Sequence, residues 1–212
     1  MPLVYQQNIN ETTKLGVWHI TEKEIFFITQ VPLQRQISHP KKRLQHLAGR
    51  LLLKELYPGF PYNLIRIADT RKPFLENDAY HFSISHCGHY AAVIVSKKDR
   101  VGVDIEFFSA KVENLKDKFL SITEQETFAA INNYQFSIVN FQLLTMAWSI
   151  KEAIYKWYGH GGLDFKEHIH IEKISMTRKE GIAECRFLKQ KDILLPVHFI
   201  FFNDNCLSWL FN

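Results

Sequence analysis

The chain has 212 residues, 46% of them hydrophobic, with 17 Phe, so it can bury a sizeable core as one large domain or two small ones sharing an interface. A net charge of +4 suits acidic ligands or acidic protein partners and falls short of the basic stripe of a dedicated nucleic-acid binder. Cys87, Cys185 and Cys206 are odd in number and form no CxxC, which indicates neither a disulfide framework nor a structural zinc site and fits a reducing cytoplasm.

Residues 1–13 show no basic start followed by an apolar stretch, so no secretory signal is expected. The aromatic and β-branched content favours sheet over a pure helix bundle. Trp18-His19-Ile20 and 24–30 read as a hairpin about the polar turn Thr21-Glu22-Lys23. A helix follows, with Ser38 as N-cap, Leu44, Leu47, Leu51 and Leu52 at helical spacing, and Tyr57-Pro58-Gly59 as its stop. Strands are expected at 64–68, 80–85 and 90–96, with turns at 69–73 and 97–100.

The segment Arg100-Val101-Gly102-Val103-Asp104-Ile105-Glu106 then reads as a strand. Alternation sends Val101, Val103 and Ile105 one way and Gly102, Asp104 and Glu106 the other. Two readings fit this segment alone. One is a half-exposed strand with a polar outer face. The other is a pair of acids holding a divalent cation through hard oxygen ligands, with the missing side chain at Gly102 leaving room for something bulky.

Beyond it a helical region is expected from about 112, another capped by Thr123, and a long helix over 137–158 closed by Gly159. Strands are expected at 168–174, 182–188, 193–201 and 206–211. The apolar run 193–202, broken by Pro196 and His198, is too short to span a bilayer. Each half thus holds a long helix followed by strands, and no linker separates them, so a cleft between the halves is the expected ligand site.

Four further segments bear on chemistry. Phe82-Ser83-Ile84-Ser85-His86 is a strand with two hydroxyls on one face and a His at its end, apt for a phosphate. Arg71-Lys72-Pro73 is a basic turn. Trp148 to Lys156 places Glu152 and Lys156 one helical turn apart; as a surface pair they are worth only a few tenths of a kcal/mol, but Trp148 shares their face. Gly159-His160-Gly161-Gly162 either cradles an anion or simply ends the helix. A zinc site at His168 and His170 is weighed against a solvated strand face, and the solvated face fits His-Ile-His better.

Taken together, Arg71-Lys72-Pro73, Phe82 to His86, Gly102-x-Asp104-x-Glu106 and Trp148-x-x-Lys151-Glu152-x-x-x-Lys156 resemble the motifs of the 4'-phosphopantetheinyl transferases. The likeness is to the larger single-chain type that activates carrier domains of synthetases, and it covers residues 71 to 163. It departs where Arg71 stands in place of a frequent Gly and where His160 stands in place of a common Lys. The resemblance implies an α+β fold of two similar halves, 1–101 and 102–212, related by a pseudo-twofold axis, with coenzyme A in the cleft between them. The first half would bind the nucleotide and the second would carry the metal and the catalytic residues.

It further implies Mg²⁺-dependent transfer of phosphopantetheine from coenzyme A to a serine of an apo acyl or peptidyl carrier protein, with adenosine 3',5'-bisphosphate released. By position, Asp104, Glu106 and Glu152 would bind Mg²⁺, and Glu152 and Lys156 would be catalytic. Lys72, Ser85, His86 and Lys156 would hold coenzyme A, with Arg43 and Arg50 on the first long helix adding basic contacts. Glu124 matches a family acid and also suits the first turn of a helix. A cytoplasmic monomer is expected, binding neither nucleic acid nor membrane. Two other readings stay open: a non-catalytic coenzyme A or carrier-binding module of the same fold, and another Mg²⁺-dependent phosphoryl-transfer enzyme.

Overall fold

The computed structural model describes residues 2–33, 36–134 and 139–212. Two antiparallel sheets divide the chain. The first contains β1 (Leu3–Asn8), β2 (Thr13–His19), β5 (His81–Cys87) and β6 (Tyr90–Ser96), in the order β1-β2-β6-β5. Between β2 and β5 the chain forms α1 (Glu24–Ile28), α2 (Pro40–Leu56) and a ribbon of β3 (Ile65–Ile67) with β4 (Pro73–Leu75). The second sheet contains β7 (Val101–Phe107), β8 (Ile169–Met176), β9 (Glu180–Phe187), β10 (Ile193–Phe202) and β11 (Asn205–Phe211), in the order β7-β11-β10-β9-β8. Between β7 and β8 come α3 (Lys116–Phe119), α4 (Ile122–Tyr134), α5 (Asn140–Tyr158) and α6 (Phe165–His168).

Each sheet buries one face under a long helix. Leu47, Leu51 and Leu52 of α2 pack with Phe82, Val93 and Val95 of the first sheet. Leu143, Ala147, Ile150 and Ile154 of α5 pack with Cys185, Val197 and Phe199 of the second. The opposite faces meet each other, where Leu15, Val17, Ala92 and Ile94 touch Val101, Val103, Ile105 and Trp209. The alternation expected along β7 is therefore real: its aliphatic side chains enter this middle layer, and Gly102 and Asp104 turn toward α5.

The sheets are also sewn together edge to edge. Ser83 Oγ accepts from the Val103 N–H at 3.2 Å, Ser85 Oγ from Ile105 N–H at 3.3 Å, and Cys87 Sγ from Phe107 N–H at 3.3 Å. Alternate side chains of β5 thus stand in for the neighbouring strand that β7 lacks on its outer edge.

Several expectations need correction. Residues 24–28 are helical, because α1 buries only Phe27 against Trp18, and a single turn of helix suffices for that contact. The partners of Trp18 are Leu3 in β1 and Ala91 in β6, so the hairpin lies between β1 and β2. Ser38 does not cap α2, which starts at Pro40 with no side-chain cap; the fixed φ of proline suits the first helical position. Thr123 lies inside α4, and the cap is reciprocal: Ser121 Oγ accepts from Glu124 N–H at 3.2 Å and Glu124 Oε2 accepts from Ser121 N–H at 2.8 Å. Ser137, the expected start of the long helix, lies outside the described residues, and α5 runs from Asn140 to Tyr158, with Gly159, at a φ of 75°, ending it as expected. Among the described residues no helix is long and apolar enough to cross a membrane.

The second half is pinned by a buried ion pair. Lys151 on α5 is wholly buried, and its Nζ lies 2.7 Å from Glu124 Oε1 and within 2.7–3.0 Å of the Phe119, Ile169 and Phe165 carbonyls. Glu124 in turn accepts from the Ile171 N–H at 2.9 Å, so the pair ties α3, α4, α5, α6 and β8 together. Removing one partner of such a pair leaves an uncompensated buried charge. Lys151→Ala should therefore cost about 3–5 kcal/mol in urea unfolding, with much of the loss recovered in a Lys151→Met, Glu124→Leu double variant. A Lys151→Ala cost below about 1 kcal/mol, the scale of an exposed pair, would contradict this role.

Candidate active site

The site begins at Gly102. A Cβ on this residue would lie 2.1 Å from the Ala153 carbonyl oxygen and 2.8 Å from the Trp157 nitrogen, so α5 crosses β7 in backbone contact. The bulky neighbour expected at Gly102 is thus the helix itself. This approach brings Glu152 and Lys156, on successive turns of α5, over Asp104 and Glu106 on β7.

Asp104 is 2% exposed. Its Oδ1 accepts from Lys156 Nζ at 2.6 Å and from Ser85 Oγ at 2.8 Å, and Lys156 Nζ lies 2.7 Å from the same hydroxyl. Its Oδ2 is buried with no hydrogen-bond partner. Glu106 continues the row, with Trp148 Nε1 donating to Oε1 at 3.4 Å and Cys87 Sγ to Oε2 at 3.7 Å. Burial first, and the charge of Asp104 second, push the pKa of Glu106 and that of Glu152 up to about 7, with Lys156 opposing both shifts.

Three carboxylates that feel one another around a single lysine leave an excess of negative charge. Among the described residues no three carboxylate, imidazole or thiol groups already converge on one metal position. The donor set nevertheless fits a hard divalent cation, since it offers carboxylate oxygens and an unsatisfied buried Oδ2. Lys156 takes the balancing role on Asp104 in this arrangement.

Ser85 closes the cluster from β5, and His86, the next residue, is exposed and within electrostatic reach of Lys156 and Asp104. The pKa of His86 is held down, chiefly by loss of hydration, with a backbone hydrogen bond and Asp104 opposing the shift and Lys156 and Lys42 adding to it. Lys72 reaches across from the 69–73 turn, but its ammonium donates to the Lys156 carbonyl at 2.5 Å and the Trp157 carbonyl at 3.3 Å. Burial and the nearby Arg100 lower its pKa to about 8. Arg71 beside it has a φ of 66°, a conformation that favours glycine, at the position where the resembling motif often has Gly.

The two basic residues of α2 are not gathered here. Arg43 is engaged by Glu24 at 2.7 Å and by the Ile37 carbonyl at 2.7 Å. Arg50 is 3% exposed within the first half, and that burial withholds it from a ligand surface. Glu124 is likewise a structural acid, occupied by Lys151.

A cleft of about 180 Å³ opens beside the cluster, lined by Thr70, Lys72, Phe82, Ser83, Tyr155 and Lys156. It adjoins a second cleft of about 370 Å³ through shared walls at Lys72, Pro73, Phe82 and Gly159, with Arg100, His81 and His160 beyond. The 159–162 loop folds back on the 69–73 turn, where Thr70 Oγ1 donates to the Gly159 carbonyl at 3.0 Å. Residues given no role from sequence are Cys87, although the spacing Ser83-x-Ser85-x-Cys87 places all three on one face of β5, and Lys151, whose partners are distant in the chain.

If the contact at Gly102 sets this geometry, a methyl group there must separate α5 from β7. Gly102→Ala should lower stability by about 1–3 kcal/mol in urea unfolding, the scale of overpacking. An unchanged midpoint would show that the helix does not depend on the missing side chain.

Residues 100–200 match the family model described as the 4'-phosphopantetheinyl transferase superfamily. Enterobactin synthase component D of Escherichia coli O157:H7 is 34% identical over 131 residues, which is 59% of this chain and 60% of the relative. The protein of the same name from Salmonella typhi is 35% identical over 127 residues, 55% of this chain and 48% of the relative. A putative 4'-phosphopantetheinyl transferase of Haemophilus influenzae is 30% identical over 128 residues, 58% of this chain and 52% of the relative. The chain thus spans about half to three-fifths of the length of these curated relatives.

Proposed function

From residues 100–200 as a 4'-phosphopantetheinyl transferase superfamily domain, we propose that the protein transfers 4'-phosphopantetheine from coenzyme A to a serine of an apo acyl or peptidyl carrier protein. The observation that supports this most is the cluster of Asp104, Ser85 and Lys156 at the seam of the two sheets, with Glu106 and Glu152 beside it. In this reading the two halves are related by a pseudo-twofold axis and coenzyme A lies in the cleft between them. The protein would be of the larger single-chain type, sufficient as a monomer.

Asp104, Glu106 and Glu152 would hold Mg²⁺, which when bound neutralises charge on the pyrophosphate and the leaving group. The chain's own residues supply the rest. Lys156, at the wall of the cleft, would present its ammonium to the pyrophosphate, and Ser85 and His86 would hold the nucleotide end. In this reading Glu152 would also accept the proton of the carrier serine, directly or through water. The serine oxygen forms a new bond to the β-phosphorus, the bridging P–O bond of the pyrophosphate breaks, and adenosine 3',5'-bisphosphate leaves with the electron pair.

The test is mass spectrometry of apo carrier proteins from fatty-acid and peptide synthetases after incubation with the protein, coenzyme A and Mg²⁺. The expected result is addition of the phosphopantetheine mass, abolished by chelation and by Asp104→Ala or Glu152→Ala in variants that remain folded. Coenzyme A binding without modification of any carrier would instead favour a binding module, and an active Asp104→Ala, Glu152→Ala double variant would remove the metal assignment.

A further inference from the structure

We propose that Lys72 is a positioning residue that fixes the last turn of α5, and through it Lys156, instead of a ligand of the nucleotide. Its catalytic consequence rests on the transferase reading; the clamp itself does not.

The last four carbonyls of a helix have no donor within the helix. At the end of α5 the Tyr155 carbonyl receives the Gly159 N–H at 3.0 Å, and the Lys156 and Trp157 carbonyls receive the Lys72 ammonium at 2.5 and 3.3 Å. One residue further, the Gly159 carbonyl receives Thr70 Oγ1 at 3.0 Å. The C-terminal carbonyls of a helix in the second half are therefore satisfied by a turn that belongs to the first. A cation at this end also meets the negative pole of the helix dipole.

Space has been kept for this contact. Gly159 adopts a φ of 75°, and a Cβ there would lie 2.6 Å from Lys72 Cδ and 2.7 Å from its Nζ. The turn that presents Lys72 is itself closed, with Arg71 N–H donating to the Ala68 carbonyl at 2.8 Å and Ala68 N–H to the Lys72 carbonyl at 2.9 Å. Lys156 is thus held at both ends. Its carbonyl is bonded by Lys72 and its ammonium by Asp104 and Ser85, while Gly102 sets the height of the helix on β7.

A ligand role and a positioning role separate in kinetics. For Lys72→Met, loss of positioning should lower kcat by about tenfold to a hundredfold, as small misplacements of a catalytic group do, with KM for coenzyme A within about twofold of wild type. Lys72→Arg, which keeps a cation on the carbonyls, should recover most of the rate, and Thr70→Val, a milder change if Lys72→Met unfolds, should give a smaller loss of the same kind. Hydrogen exchange of the amides of residues 155–160 in the protein alone should quicken in Lys72→Met and Thr70→Val. A raised KM with unchanged kcat and unchanged exchange would make Lys72 a nucleotide ligand and overturn the proposal, as would variants with wild-type kinetics and exchange. Wild-type protein that modifies no carrier would sink the transferase reading, and the exchange measurement would still decide the clamp.

Discussion

The close approach of α5 to β7 at Gly102 is the contact on which the rest of the molecule depends. A helix normally stands off a sheet by the depth of the side chains between them, but here the Ala153 carbonyl occupies the place of a missing Cβ. The next carboxylate along the strand, Asp104, therefore falls under Lys156, and the pair closes onto Ser85 from the other sheet. Ser85 has a second task there, accepting the Ile105 amide as one stitch of the seam between β5 and β7. The same hydroxyl thus joins the two halves and shapes the charged cluster, so the site and the interface are one structure.

Charge explains why such an arrangement belongs to chemistry more than to stability. Burying several carboxylates around one ammonium costs more hydration than a single pair returns, and the cost appears as Glu106 and Glu152 with pKa values near 7 and as an unpartnered Asp104 Oδ2. The contrast within α5 is instructive. Lys151 and Lys156 lie on the same helix, yet Lys151 is surrounded by an acid and three carbonyls and is sealed, whereas Lys156 borders an open cleft. The first fixes the position of the helix, and the second is left accessible to a ligand.

Much of this was legible in the sequence because it rests on short periods. The alternation of Val101, Val103 and Ile105 with Asp104 and Glu106, the one-turn spacing of Glu152 and Lys156, and the glycine stop at Gly159 are local patterns, and the fold preserves them. Features set by distant contacts were not legible. That Gly102 admits a helix and not a ligand, that Lys72 donates to carbonyls 84 and 85 residues away, and that Arg50 is withdrawn into the first half all depend on tertiary packing. Residues 24–28 failed as a strand for a related reason: a run such as Glu-Ile-Phe-Phe-Ile suits either structure, and the contacts of Phe26 and Phe27 with Trp18 are made by one turn of helix. Arg71 runs the other way. Its departure from a frequent glycine looked like a loosening of the motif, yet its positive φ keeps the backbone shape that glycine would adopt.

The central claim is that the cluster at the seam is where a pyrophosphate is bound and cleaved, and a crystal structure of the protein with coenzyme A and Mg²⁺ tests it most directly. The account predicts the pyrophosphate against Lys156 and Ser85, with the cation drawn among Asp104, Glu106 and Glu152 and the Lys156 ammonium released from Asp104. Coenzyme A bound away from this cleft, with the Lys156–Asp104 contact intact and no cation among the carboxylates, would contradict it.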